Sequence, residues 1–188
     1  MKKKIIVINN KEDLNKFYDN IKYYRSFFYR FTEFQSDYKD IETIINALNI
    51  KNRFKRIRYV YDESCKYIDN FYKGKNMCNF NKKGMCRTNT INGCCRKCYH
   101  RSDKGCTTRN LTCKLFYCNK VCDKYKVLTF GDVKLIRCFP YRCQIIARHN
   151  FFTKEEDYLM DLYIGSILIL FVRYFYRFIK QSIKKTRK

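Results

Sequence analysis

The stretch Arg53-Phe54-Lys55-Arg56-Ile57-Arg58-Tyr59-Val60-Tyr61-Asp62-Glu63-Ser64-Cys65-Lys66-Tyr67-Ile68-Asp69-Asn70-Phe71-Tyr72-Lys73-Gly74 decides how the front of this chain is read. Phe54, Ile57, Tyr61, Ile68 and Phe71 fall on one face at helical spacing. The closing Lys73-Gly74 is a basic residue followed by the residue that most easily turns a helix end. Working outward, Leu14, Phe17, Ile21, Tyr24, Phe28 and Phe31 recur in alternating steps of three and four, which predicts an amphipathic helix. Asn10, with Asp13 three residues on, starts it. Asp40 is the expected cap of a second helix carrying Ile41, Ile44, Ile45 and Leu48. Residues 1–74 therefore read as a helical unit. A single Pro, six Gly and 46% apolar residues exclude a low-complexity or disordered chain.

From Lys75 to Asp123 the periodicity disappears and Gly, Asn, Lys and Cys take over. So long an unpatterned run inside a folded chain needs something other than an apolar core to fix it. The chain has twelve cysteines in 188 residues, nine of them here: Cys78, Cys86, Cys94, Cys95, Cys98, Cys106, Cys113, Cys118 and Cys122. The basic N-terminus carries only a four-residue apolar run and no small-residue cleavage site, so a cytoplasmic location with reduced thiols is expected. Disulfides would require export by another route. A dense reduced cluster points to metal. Cys95-x-x-Cys98 is its strongest element, because two intervening residues let both sulfurs reach one ion. Gly93 and Gly105 stand just before the Cys94-Cys95 pair and Cys106, where tight backbone is needed. Zinc and an iron–sulfur cluster each take four thiolates, and the spacing selects neither. Cys65 reads as core, Cys138 and Cys143 as either core or ligand, and His100 as a surface imidazole more readily than a ligand. His149 has no partner in sequence.

The formal charge is +24, which suits nucleic acid or an anionic membrane surface, although lysine-rich composition accounts for part of it. Arg53, Lys55, Arg56 and Arg58 alternate with aromatic residues and are the candidate nucleic-acid contacts. A solvated helix face is the plainer reading of the same residues. No phosphate loop, nucleophile elbow or carboxylate pair stands out, so any metal-dependent or redox catalysis would be the metal's.

Beyond the cysteines, 126–130 and 133–137 flank Gly131-Asp132 as a hairpin, or else the second run opens a helix stopped before Pro140. Thr153 and Glu156 form a capping box that predicts one long amphipathic helix from Lys154 to about Ile183. Its polar stripe is Asp157, Asp161, Gly165, Arg173, Arg177, Lys180 and Lys184. The uncharged run Leu162–Val172 is eleven residues, short of the roughly twenty needed to span a bilayer. Packing on the domain is the first expectation, and peripheral attachment to anionic lipid the second.

The run Gly93-Cys94-Cys95-Arg96-Lys97-Cys98 and the later Gly105-Cys106…Cys113-Lys114-Leu115-Phe116-Tyr117-Cys118 resemble an uncharacterised family of small cysteine-rich bacterial proteins. Arg56-Ile57-Arg58-Tyr59-Val60-Tyr61-Asp62 followed by Asn76-Met77-Cys78-Asn79-Phe80 matches the same pattern, and the likeness spans roughly residues 50–155. The cluster is more distantly similar to the zinc- or iron-chelating cysteine-cluster family, without the Arg-Pro that precedes the closing cysteine there. The resemblance implies Cys78, Cys86, Cys94, Cys95, Cys98, Cys106, Cys113 and Cys118 as metal ligands and implies no reaction. The expected architecture is mainly α, with α+β open. It comprises the helical unit 1–74, a metal-stabilised cysteine-rich region 75–150, and a basic amphipathic helix in 151–188.

Overall fold

The first element is a strand, inside the stretch read from sequence as a helical unit. Lys2–Ile8 (β1) alternates buried Ile6 and Ile8 with exposed Ile5 and Val7, the two-residue period of a half-buried strand. A computed structural model of the protein describes residues 2–25, 29–36, 38–75, 101–102, 105–106, 110–117 and 119–186. Helix α1 (Lys11–Tyr24) follows, with the Asn10 side chain accepting from the Asp13 N–H at 2.9 Å, the expected start. It crosses over to β2 (Tyr29–Ser36), which pairs parallel with β1.

The expected helix reaching Phe31 is thus corrected, because α1 stops at Tyr24 and Phe31 is buried in a strand, while Phe28 lies outside the described residues. Arg25 caps the helix and turns its guanidinium to the Phe139 carbonyl at 2.8 Å, which ties this end to the far part of the chain. Tyr24 packs edge-on against Tyr29 and Phe31. The apolar spacing thus continues across an element boundary. Between Lys4 and Ile5 the register slips past Thr32, and Asn49 pairs with both the N–H (2.9 Å) and the carbonyl (3.0 Å) of Phe31. An amide side chain stands in for a third strand at the bulge.

Helix α2 (Lys39–Asn49) buries Ile41, Ile44, Ile45 and Leu48 as expected, but Tyr38 occupies its N-cap position and Asp40 lies in its first turn. Helix α3 (Arg53–Phe71) is capped by Asn52, which accepts from Lys55 N–H at 3.0 Å. Ile57, Val60, Tyr61 and Ile68 are buried, whereas Phe54 is 53% exposed and meets Tyr163 edge-on. A two-residue ladder joins β3 (Arg101–Ser102) to β4 (Gly105–Cys106). Short helices α4 (Leu111–Lys114) and α5 (Asn119–Lys124) follow.

No hairpin forms at 126–137. Asp132 accepts from Thr129 N–H and Oγ1 at 2.7 Å each, closing a turn that leads into a 3-10 helix at Lys134–Cys138, ended before Pro140. That segment packs on α1, α2 and α3, with Leu135, Ile136 and Cys138 buried. Helices α6 (Tyr141–His149), α7 (Glu155–Ile164) and α8 (Leu168–Thr186) complete the chain. One hydrophobic cluster runs from Ile6 to Leu162, so the front and back of the sequence share a core. The fold is mainly helical with small two-stranded sheets among the described residues.

The single long C-terminal helix is also corrected. Gly165, at φ +65°, ends α7 by returning its N–H to the Asp161 carbonyl at 3.0 Å, and the chain restarts at Leu168. The capping box is absent too. Lys154 is the cap position, and the Thr153 hydroxyl donates to the Asn150 side chain at 2.6 Å instead.

Candidate functional site

Among the ligands implied by sequence, Cys78, Cys86, Cys94, Cys95, Cys98 and Cys118 lie outside the described residues, as does His100. Cys106 is on β4, and Cys113 is on α4. Among the described residues no three His, Cys, Asp or Glu side chains converge as a metal group would. The described part of the candidate centre is therefore the seat of Cys113.

That seat is built in detail. Asn110, fully buried, caps α4 by accepting from the Cys113 N–H at 2.9 Å. Its amide donates to the carbonyls of Thr153 (2.6 Å) and Asn150 (3.3 Å), so the cap is pinned to the α6–α7 connection. Thr112, also buried, donates to the Ala147 carbonyl at 2.5 Å and lies 3.0 Å from the Tyr158 hydroxyl. From the same connection the Phe152 N–H points at Cys113 Sγ, 3.3 Å away. Phe152 holds φ +60°, a conformation costly for a bulky side chain. The strain has a visible product, an N–H donor placed on sulfur, and such donors stabilise charge on a thiolate ligand.

The connection is braced from its other side. The Asn150 amide donates to Asp161 Oδ2 at 2.7 Å, and Arg173 of α8 clamps both oxygens of that carboxylate at 2.8 Å each. Asp161 is only 1% exposed, so its charge depends on these partners. The pair and its hydrogen bonds raise the pKa of Arg173. A continuous buried polar chain thus links Cys113, through Asn110, Thr153 and Asn150, to Asp161 and the C-terminal helix. Sequence reading missed Asn110, Asn150 and Phe152, because the partners that give them their roles lie far along the chain or on another element.

The other cysteines separate by environment. Cys138 and Cys143 are fully buried core residues. Burial raises both thiol pKa values, that of Cys138 to about 12, and Cys143 Sγ donates to the Leu162 carbonyl at 3.2 Å. The choice left open for them is closed in favour of core. Cys65 packs partly into the core, and burial pushes its pKa up to about 11. Cys122 is exposed on α5.

The candidate nucleic-acid contacts do not form one surface. Arg56 is 5% exposed and donates to the carbonyls of Ile50 (2.8 Å), Arg25 (2.6 Å) and Leu48 (3.4 Å). It closes the corner between α1, α2 and α3, and the same burial lowers its pKa. Arg58 is exposed but bonded to Asp62 at 2.8 Å, with Glu155 3.9 Å away. Arg53 and Lys55 are exposed. His149 is exposed on α6.

Helix α8 is the other prominent surface. No helix among the described residues is long and apolar enough to cross a membrane. Yet Leu168, Phe171, Val172, Phe175, Phe178 and Ile179 of α8 are all exposed, so the expected packing of the apolar side on the domain holds for Leu159, Leu162 and Leu170 and ends there.

No family model matches the chain, and comparisons with curated proteins and with solved structures return no match.

Proposed function

We propose that this protein binds metal through its cysteine cluster, as zinc or as an iron–sulfur cluster, with Cys78, Cys86, Cys94, Cys95, Cys98, Cys106, Cys113 and Cys118 as the ligand set. The observation that carries the reading is the Cys113 seat. A buried asparagine cap and a strained Phe152 backbone together fix one thiol and aim an N–H at its sulfur. An ordinary core cysteine needs neither, as Cys138 shows. The donor set is soft and sulfur-rich, which suits zinc or iron and excludes calcium or magnesium as the favoured ion. The bound metal would organise the segment that carries most of the cysteines.

The test is metal content and visible absorption of untagged protein purified without oxygen. Stoichiometric zinc, or a brown chromophore with iron and sulfide, supports the reading, and Cys113→Ser should lower the metal content. Colourless, metal-free protein that is fully folded would end it.

A second reading concerns location. The exposed apolar residues of α8, on a strongly basic chain, favour peripheral attachment to an anionic membrane surface. Nucleic-acid binding has less support, because Arg56 is turned into the protein and Arg58 is ion-paired.

A further inference from the structure

Helix α8 is docked the opposite way round from an ordinary surface helix. Such a helix turns its apolar stripe to the core and its charges to water. In α8 the first turn rests Ile169 and Leu170 on the core. After that, the side facing the domain is the basic one. Arg173 holds Asp161, and Arg177 lies over the Phe152 ring at 5.7 Å with its Nε donating to the Arg173 carbonyl at 3.1 Å. On the other side Leu168, Phe171, Val172, Phe175, Ile179 and Ile183 are 45–71% exposed. At 100° per residue these six occupy an arc of about 120° and, at 1.5 Å per residue, a stripe about 22 Å long. Tyr174 and Tyr176, also exposed, flank it.

Charge decides what covers this stripe. The helix carries Arg173, Arg177, Lys180, Lys184 and Lys185 and no acid, and no acidic residue follows Asp161 in the chain. Two copies packed stripe to stripe would bring together two chains of formal charge +24, which opposes association. With Arg173 already held by Asp161, anionic lipid headgroups would meet the remaining positive charge of the chain while acyl chains take up the aromatic and aliphatic side chains.

We infer that the Phe171–Phe175–Ile179 face of α8 enters the headgroup–acyl boundary of an anionic bilayer. The helix lies in the membrane plane, and the Asp161–Arg173 pair fixes the domain above it. The inference rests on the peripheral reading and adds the face, the orientation and the lipid class. Interfacial helices of this kind are about as long as α8 and do not need to span.

The chain has no tryptophan, so Phe175→Trp gives a single reporter and Tyr163→Trp, on α7, gives a control. The full-length protein is mixed with vesicles of phosphatidylcholine alone and of phosphatidylcholine with phosphatidylserine. Expected are a blue shift and quenching by brominated acyl chains at position 175, none at 163, and preference for the anionic vesicles. Phe171→Asp combined with Phe175→Asp should lower partitioning at least tenfold, with an unchanged circular dichroism spectrum and melting point, because both side chains are already exposed. Vesicle binding with position 175 unquenched would overturn this face while leaving peripheral attachment standing. Absence of binding to either vesicle would overturn both. A lipid-independent dimer, lost in the double aspartate variant, would show that a second copy covers the stripe and would also overturn the inference.

Discussion

At the scale of single residues, Asp161 carries the most consequence. It is the buried acceptor for Arg173 and for the Asn150 amide, so removing it strands a guanidinium and an amide together. Asp161→Ala should cost about 3–5 kcal/mol of stability, the range for breaking one side of a buried pair. Denaturant unfolding would measure it, and a loss under about 1 kcal/mol would mean water replaces the carboxylate. The buried thiols and phenols make a separate prediction about pH. The pKa of Cys138 is raised to about 12 and that of Cys65 to about 11, in each case chiefly by burial. Burial also raises Tyr61 and Tyr158. In the unfolded chain these thiols ionise near pH 9. Between that pH and the native values the unfolded state has released protons that the native state still holds. Stability is therefore full below pH 9 and falls as pH rises toward 12, by about 1.4 kcal/mol per pH unit for each thiol fully in that window. Unfolding midpoints measured from pH 8 to 11 under reducing conditions should show the decline, and Cys138→Val should soften it. Native alkylation should label Cys122 and spare Cys138 and Cys143, since a buried neutral thiol is a poor nucleophile.

Among the elements, the join between α7 and α8 is the part that local sequence misreads. The stripe Asp157, Asp161, Gly165, Arg173 and Arg177 has the spacing of one continuous helix, and periodicity alone cannot distinguish an uninterrupted helix from two with a shared phase. Gly165 resolves it by adopting φ +65°, and a Cβ there would press on the Arg53 guanidinium. Gly165→Ala should destabilise by about 1–2 kcal/mol from the left-handed conformation alone. Thermal unfolding beside Gly131→Ala, where a Cβ meets nothing closer than 3.6 Å, separates this from a generic glycine effect. Helices α2 and α3 were legible because their apolar spacing is strong and the residues named inward are, apart from Phe54 and partly Phe71, the ones buried. Strand β2 was not, because Phe28 and Phe31 continue the helical spacing of α1, while the strand partner that draws Phe31 into a sheet lies at the N-terminus. The capping box failed for a similar reason. Thr153 has the right sequence neighbour, but Asn150 takes its hydroxyl.

For the whole molecule, the polar chain from Cys113 to Arg173 joins the cysteine-bearing segment to the outward-facing helix. If metal organises that segment, chelation under reducing conditions should lower the melting temperature of the full chain, and Cys138→Val should leave metal content unchanged. Equal metal loss in Cys138→Val and Cys113→Ser would show that the proposed ligand set is wrong. Legible from the residues alone were the mainly helical class, the inward residues of α2 and the concentration of thiols between Cys78 and Cys122, and no helix among the described residues is long and apolar enough to cross a membrane, in keeping with the short uncharged run at Leu162–Val172. Each of these depends on composition or on spacing within one element. It took the packing of distant segments to make Arg56 an internal brace, to place Cys138 and Cys143 in the core, and to turn the Phe152 N–H to Cys113. The same packing decided that α8 rests on its arginines and leaves its phenylalanines outward. Periodicity identifies an apolar face but does not say which way it points. That direction was set by one buried carboxylate, Asp161, whose charge had to be met and whose nearest cation lay on the next helix.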